Sequence, residues 1–91
     1  MKIREKLKDI ISRIERMELY FDTVSEAVKK SPSISDMDER IRDMLDELSF
    51  YYENGLWLRD FEADERGELP KDLKRGVLSE DGLYNLFSEI V

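Results

Sequence analysis

The chain has 91 residues, enough for one domain, and carries 15 basic and 22 acidic side chains for a net charge of −7. It contains no cysteine and no histidine, which excludes disulfides, thiolate zinc sites, cysteine nucleophiles and the Ser-His catalytic triad. No apolar run approaches the roughly 20 residues that cross a bilayer, and no signal-peptide pattern opens the sequence. We therefore expect a single acidic, cytoplasmic domain over residues 1–91 that contacts no membrane.

The acidic charge is concentrated in the middle of the chain. Residues 31–69 hold 4 basic and 12 acidic side chains, whereas residues 1–30 hold 8 and 6, and residues 70–91 hold 3 and 4. Nucleic-acid binding requires clustered lysine and arginine, and an acidic surface repels phosphate backbones. The charge distribution therefore predicts no direct contact with nucleic acid.

A long amphipathic helix is predicted over residues 1–30. Its apolar side chains alternate steps of four and three residues, the spacing of a heptad repeat. They are Ile3, Leu7, Ile10, Ile14, Met17, Phe21, Val24 and Val28. The helix should end before Pro32, because proline disfavours helical geometry in the preceding residue. Leu19 lies about 160° from the centre of this apolar stripe, so it is either exposed or in contact with another element.

A second helix is predicted over residues 36–54. Ser35 or Asp36 is expected to cap its N-terminus, and Asn54-Gly55 is expected to end it. Its apolar face consists of Met37, Ile41, Met44, Leu45, Leu48 and Tyr52. The short connection after the first helix makes the two helices antiparallel neighbours.

The first helix is about ten residues longer than the second, so about 15 Å of its apolar stripe extends beyond the hairpin. We expect the C-terminal segment to cover this stripe; the alternative is a second copy of the chain, in a homodimer formed through the first helix. Phe50 lies opposite the apolar face of the second helix. We expect it to contact the C-terminal part of the chain, with a partner surface as the alternative.

Two short helices are predicted in the C-terminal half, over residues 56–66 and 79–90. Gly67 should end the first of them, and Ser79 is the expected N-cap of the second. The predicted fold class is therefore all-α, a long antiparallel helical hairpin with two short C-terminal helices packed on it.

Two carboxylates, Asp60 and Asp64, border the apolar side of the predicted third helix. A carboxylate in that position must be solvated, paired or hydrogen-bonded. We predict that Asp60 or Asp64 accepts hydrogen bonds from Arg75 or from loop amides. This contact would lock the third helix against the turn over residues 74–81, which contains Ser79.

The same half of the chain carries a family resemblance. The motif Y-Y-x-x-G-x-W-x-x-D, from Tyr51 to Asp60, precedes G-x-L-P-x-D-L-K-R-G-V-L-S-E-D, from Gly67 to Asp81. Together they resemble a family of small bacterial proteins known as a domain of unknown function (number 4298). The resemblance implies a small, helical, intracellular bacterial protein, and it brings no catalytic residue with it.

A metal site is the chemical alternative that the acidic residues raise. Asp60, Glu62 and Asp64 imitate the opening of an EF-hand loop, but Lys71 stands where the bidentate carboxylate is required. A looser divalent-cation site made by Asp60, Asp64 and Asp81 stays open as an alternative. No catalytic residue and no cofactor are predicted.

We interpret the chain as a non-enzymatic protein–protein interaction or adaptor module that binds a protein partner or a second copy of itself. Leu19 and Phe50 form the candidate partner surface. One alternative is an acidic inhibitor or nucleic-acid mimic that binds a basic protein, because the charge of residues 31–69 would complement one. The other alternative is a divalent-metal-dependent module.

Overall fold

The first two helices form the predicted hairpin. The computed structural model describes residues 6–91, in which α1 spans Leu7–Lys30 and α2 spans Glu39–Glu53. Most of the apolar stripe of α1 is buried from Ile10 onward, whereas Leu7 is exposed, and α1 packs against α2. Its buried members are Ile10, Ile14, Met17, Val24 and Val28. Ile3, the first predicted member of the stripe, lies outside the described residues.

The start of α2 differs from the prediction, because Asp38 is its N-cap. The side chain of Asp38 accepts a hydrogen bond from the backbone N–H of Ile41 at 2.9 Å. The predicted caps, Ser35 and Asp36, are wrong because both lie in a 3-10 turn over Ile34–Asp36. An N-cap needs an extended backbone, which Asp38 has and a residue inside such a turn does not.

The buried face of α2 consists of Leu45, Leu48 and Tyr51. The apolar face predicted from the sequence included Tyr52 and not Tyr51. Tyr51 is buried, and Tyr52 is only half-buried against the edge of the core. The core of the hairpin therefore includes a phenol hydroxyl that needs a hydrogen-bond partner.

Two further helices follow, α3 over Leu56–Glu65 and α4 over Gly82–Glu89. Gly55 precedes α3 with a φ of 84°, and Gly67 follows it with a φ of 71°. Both values lie in the left-handed region that glycine adopts without steric cost. The sequence predicted stops at these two glycines, and their backbone conformation supplies the physical reason.

The predicted N-cap of α4, Ser79, is wrong. A second 3-10 turn over Gly76–Leu78, called the 76–78 turn, separates α3 from α4, and Ser79 ends this turn. The Asp81 carbonyl accepts from the backbone N–H of Asn85 at 2.8 Å, so Asp81 occupies the cap position. Ser79 belongs to the preceding turn, because its own N–H donates to the Gly76 carbonyl.

The C-terminal half packs back onto the hairpin. The 76–78 turn contacts α1, α3 and α4, while α4 also packs on α1 and α3 packs on α2. Two backbone hydrogen bonds of 2.9 Å tie the end of the chain to the hairpin connection, from the Ile34 N–H to the Val91 carbonyl and from the Val91 N–H to the Pro32 carbonyl. The predicted all-α architecture is confirmed. Within residues 6–91, no helix has both the length and the apolar character needed to cross a membrane.

Candidate functional site

Asp60 is a fully buried carboxylate at the junction of three helices. It is 0% exposed, and the Arg13 side chain that faces it from α1 is 12% exposed. The Arg13 Nε donates to Asp60 Oδ2 at 2.9 Å, and Arg13 Nη2 donates to Oδ1. This two-pronged geometry satisfies both carboxylate oxygens and fixes the orientation of α3 relative to α1.

Tyr51 supplies the third hydrogen bond to this carboxylate. Its hydroxyl donates to Asp60 Oδ2 at 2.6 Å. Burial raises the pKa of the Tyr51 hydroxyl far above its ordinary value, and the hydrogen bond to the Asp60 carboxylate raises this pKa further. The phenol therefore stays protonated and acts as a donor. Arg13, Tyr51 and Asp60, named here the Asp60 cluster, join α1, α2 and α3.

Asp64, one turn further along α3, forms an ion pair with Arg75. The Asp64 and Arg75 side chains are 24% and 33% exposed. Arg75 also donates to the backbone carbonyls of Leu73 and Pro70. The structure thus brings together Asp64 and Arg75 of the predicted lock. Asp60 takes no part in it, because its carboxylate faces α1 and α2 instead.

The backbone of Val77, in the middle of the 76–78 turn, is held from two sides. Its N–H donates to Glu18 Oε1 of α1 at 2.7 Å, and its carbonyl accepts from Trp57 Nε1 of α3 at 2.9 Å. Val77 itself is buried. The 76–78 turn is therefore fastened to α1 and to α3 by polar side chains as well as by apolar packing.

Ser79, the remaining member of the predicted lock, lies against the first residue of α4. A Cβ atom added to Gly82 would sit 2.6 Å from Ser79 Oγ and 3.1 Å from the Gly76 carbonyl oxygen. Real Cβ atoms do not approach other atoms so closely. The contact favours glycine at position 82 and makes Ser79 a packing residue of the turn.

Aromatic rings connect α2, α3 and α4 beside this turn. Trp57 stacks on Phe61 with ring centroids 5.0 Å apart. Tyr52 meets Trp57 edge-on at 5.4 Å and Phe87 edge-on at 5.9 Å. Such arrangements are the favoured geometries of aromatic pairs and stabilise the packing beyond the area they bury.

The three aspartates considered as a cation site are not brought together. Asp60 is bound by Arg13 and Tyr51, and Asp64 is bound by Arg75, while Asp81 stands exposed before α4. No group of three or more His, Cys, Asp or Glu side chains in residues 6–91 could hold a metal ion. Arginine side chains therefore engage the carboxylates of Asp60 and Asp64, two of the three that the looser cation site would need.

The candidate partner residues, Leu19 and Phe50, border two separate grooves. Leu19 is 60% exposed and lines a groove of about 450 Å³ between α1 and residues 70–74, named here the Leu19 groove. Phe50 is 61% exposed and lines a groove of about 390 Å³ with Arg16 of α1 and Leu56 of α3, named the Phe50 groove. Phe50 therefore lies beside Leu56 of the C-terminal half, while most of its side chain stays exposed.

Arg13 and Glu18, which help to build the site, were not singled out from the sequence, and Tyr51 and Trp57 were noted as positions of the family motif without a role in the site. Arg13 offered a recognisable signal, because it follows Ile10 by three residues and precedes Met17 by four, on the flank of the apolar stripe. A cation there, like a carboxylate on the apolar side of α3, requires a partner. Nothing in the spacing of Glu18 pointed to a loop amide at residue 77.

A family model described as a domain of unknown function (DUF4298) matches residues 14–90 of the chain. Curated proteins and solved structures gave no match. The matched range includes both sequence motifs and every helix from α2 onward. The chain belongs to the DUF4298 family, and the resemblance predicted from its motifs is confirmed.

Proposed function

We propose that this member of the DUF4298 family is a non-enzymatic protein–protein interaction module, and that the Leu19 groove is its binding surface. The observation that carries the proposal is the groove itself. It places an exposed leucine on the rim of a concavity whose two walls are a long helix and an anchored loop.

The family motif from Gly67 to Asp81 builds one wall of this groove. Pro70, Asp72, Leu73 and Lys74 of the motif line it. Arg75 fastens that wall to α3 through Asp64, and it also donates to the carbonyls of Pro70 and Leu73. A preformed, anchored surface loses less conformational entropy on binding, which favours recognition of a partner.

The carboxylates of Asp60 and Glu18, which could otherwise bind a ligand or act in catalysis, are engaged in internal contacts. The carboxylate of Asp60 is closed off by three hydrogen bonds, and Glu18 accepts from the Val77 amide. In the part of the chain that the structure describes, no buried side-chain polar atom lacks a partner. These contacts support a scaffolding role for the polar residues and leave recognition to the surface.

Quantitative affinity capture tests the proposal. The tagged full-length chain, its Leu19→Ser variant and a Leu58→Ser control would be incubated with extract of the cells that naturally express it. Leu58 is also exposed, but it lies on α3 and does not line the Leu19 groove. We expect at least one protein that wild type and the control retain and that Leu19→Ser loses by about tenfold, the effect of removing one buried leucine. Retention of the same proteins by all three would contradict the assignment of the surface.

Self-association is tested with the same variants. Light scattering coupled to size exclusion, at several protein concentrations, measures whether the mass corresponds to one chain or two. A dimer that Leu19→Ser dissociates and Leu58→Ser does not would identify the partner as a second copy of the chain. A dimer that neither variant changes would place its interface elsewhere.

The acidic-inhibitor function is the second candidate, favoured by the carboxylates that α2 exposes. Glu39, Asp43, Asp46 and Glu47 are all exposed on this helix. Such an inhibitor would bind a basic protein through long-range charge, so its binding would fall steeply with salt. Capture that salt abolishes and that Leu19→Ser leaves unchanged would favour this function over the groove.

A further inference from the structure

We infer that the Leu19 groove accepts a cationic amphipathic segment of a protein partner, one that presents apolar side chains flanked by lysine or arginine. The inference rests on the proposed function and names the chemistry of the partner. It is carried by the charge and the apolar lining of this one groove.

The charge of the groove is strongly negative. Among residues 6–91, four carboxylates line it, Glu15, Glu18, Asp22 and Asp72, together with one cation, Lys74. Glu18 is already committed to the Val77 amide, whereas Glu15 and Asp22 are exposed on the same helix. A cationic side chain entering the groove would therefore meet Glu15 and Asp22 on its α1 wall.

The rest of the lining is apolar, and the groove itself is small. It consists of Ile11, Leu19, Pro70 and Leu73. The groove volume of about 450 Å³ lies within the range of small-ligand pockets, about 300–1,000 Å³. It accommodates a few side chains from one segment rather than the face of a folded domain. A segment that is cationic alone would leave the apolar lining exposed, and an apolar segment alone would leave the carboxylates unpaired.

The Phe50 groove does not offer the same selectivity. Its charged lining is balanced, with Arg13 and Arg16 against Asp46 and Glu47. Arg13 is also held in the Asp60 cluster. Charge complementarity therefore distinguishes the two grooves and assigns the cationic segment to the one beside Leu19.

Fluorescence anisotropy with three labelled peptides tests the inference. The first peptide is an amphipathic sequence of leucine and lysine, of about 14 residues or four helical turns. The second replaces every lysine with glutamate, and the third replaces every leucine with serine. We expect the full-length protein to bind the first peptide at least tenfold more tightly than either of the others. Binding should weaken from about 0.05 M to about 0.3 M salt, because exposed charges are screened.

Matched variants locate the binding. The double variant Glu15→Gln/Asp22→Asn removes two negative charges from the groove, and Asp43→Asn/Glu53→Gln removes two from exposed positions of α2 outside it. We expect the groove variant to weaken binding of the first peptide about three- to tenfold, the value of two exposed ion pairs, and the control to change it less than twofold. Leu19→Ser should weaken binding of the first peptide more than the groove double variant does. Circular dichroism confirms that each variant is folded.

Several outcomes would overturn the inference. These are binding of the glutamate peptide as tight as that of the lysine peptide, equal weakening by both double variants, and no binding of any peptide. The capture experiment distinguishes this failure from failure of the proposed function. A native partner that Leu19→Ser loses, combined with no peptide binding, would leave the interaction module standing and reject the cationic partner chemistry.

Discussion

Two aspartates one helical turn apart on α3 form ion pairs of different character. Asp60 is fully buried and pairs with an arginine 47 residues earlier in the chain. Asp64 is partly exposed and pairs with an arginine 11 residues later. The first pair joins α1 to α3, with Tyr51 of α2 as an additional donor. The second pair holds only the C-terminal half together.

The comparison teaches that burial and topology, rather than residue type, decide what each pair contributes. Burying two charges costs several kcal/mol each, which their attraction offsets only when the remaining polar atoms are also satisfied. The Asp60 cluster meets this condition with three hydrogen bonds. The Asp64–Arg75 pair is partly solvated, so each partner loses less when the other is removed.

The largest expected effect is that of Asp60→Ala. It leaves the guanidinium of Arg13 buried without its carboxylate and removes the acceptor of Tyr51. Breaking a buried ion pair by removing one of its members costs about 3–5 kcal/mol. Urea unfolding followed by circular dichroism at pH 7 measures this loss in the free energy of unfolding. A loss below 1 kcal/mol would contradict the role of Asp60 as the joint between helices.

The double variant Arg13→Met/Asp60→Leu sharpens this prediction. Apolar residues of similar volume carry no charge that needs compensation, so the double variant should be more stable than Asp60→Ala. A double variant that is less stable than Asp60→Ala would mean that the loss arises from packing rather than from the stranded charge. Where Asp60→Ala does not fold at all, the double variant still provides a measurable protein.

Tyr51→Phe should cause the next largest loss in the free energy of unfolding. It removes the hydroxyl that donates to the buried carboxylate but keeps the ring in the core. A hydrogen bond to a charged group contributes about 1.5–3 kcal/mol. We expect a loss in this range by urea unfolding at pH 7, and a loss of a few tenths at most for the exposed Tyr84→Phe.

Tyr51→Phe should also change how the stability of the protein depends on pH. The pKa of Tyr51 is raised in the folded state, so below the ordinary tyrosine pKa of about 10 both states hold the proton. Above about pH 10, the Tyr51 hydroxyl loses its proton in the unfolded chain and retains it in the folded chain. The stability of wild type should then fall by up to about 1.4 kcal/mol per pH unit from this group. Tyr51→Phe should show a shallower fall between pH 10 and 11, with a residual slope from Tyr20, whose pKa burial and Glu47 also raise.

Much of the fold was predictable because local rules determine it. The heptad spacing of α1, the positive-φ glycines at 55 and 67, and the proline at 32 each act within a few residues of their own position. The boundaries of α2 and α4 were missed where a 3-10 turn intervened, over Ile34–Asp36 and Gly76–Leu78. These turns contain or end at serine and aspartate residues that could equally cap a helix. Tertiary contacts decide whether such a residue caps the helix or belongs to the turn.

The site was predictable only where its partners are close in sequence. The contact between Asp64 and Arg75 was one of the alternatives that the sequence offered, because a short loop connects the two residues. The partners of Asp60 were missed for two reasons. Arg13 is separated from it by most of the hairpin, and a shift of one residue in the face of α2 exchanged Tyr51 for Tyr52. Long-range polar contacts depend on the register between helices, which periodicity alone does not define.

The smallest of the three stability effects compares Asp64→Ala with Asp43→Ala. Asp64→Ala removes the acceptor of Arg75, whose other donors hold the loop carbonyls of Pro70 and Leu73. Because both partners are partly solvated, we expect a loss of about 1–2 kcal/mol rather than the larger cost of the Asp60 cluster. Asp43 is exposed on α2, and Asp43→Ala should change the free energy of unfolding by less than about 0.5 kcal/mol. Thermal unfolding of the two variants side by side measures the difference. Equal, small shifts in Tm would mean that Arg75 holds the groove wall through the backbone carbonyls alone, whereas a loss as large as that of Asp60→Ala would mean that the two ion pairs form one cooperative unit.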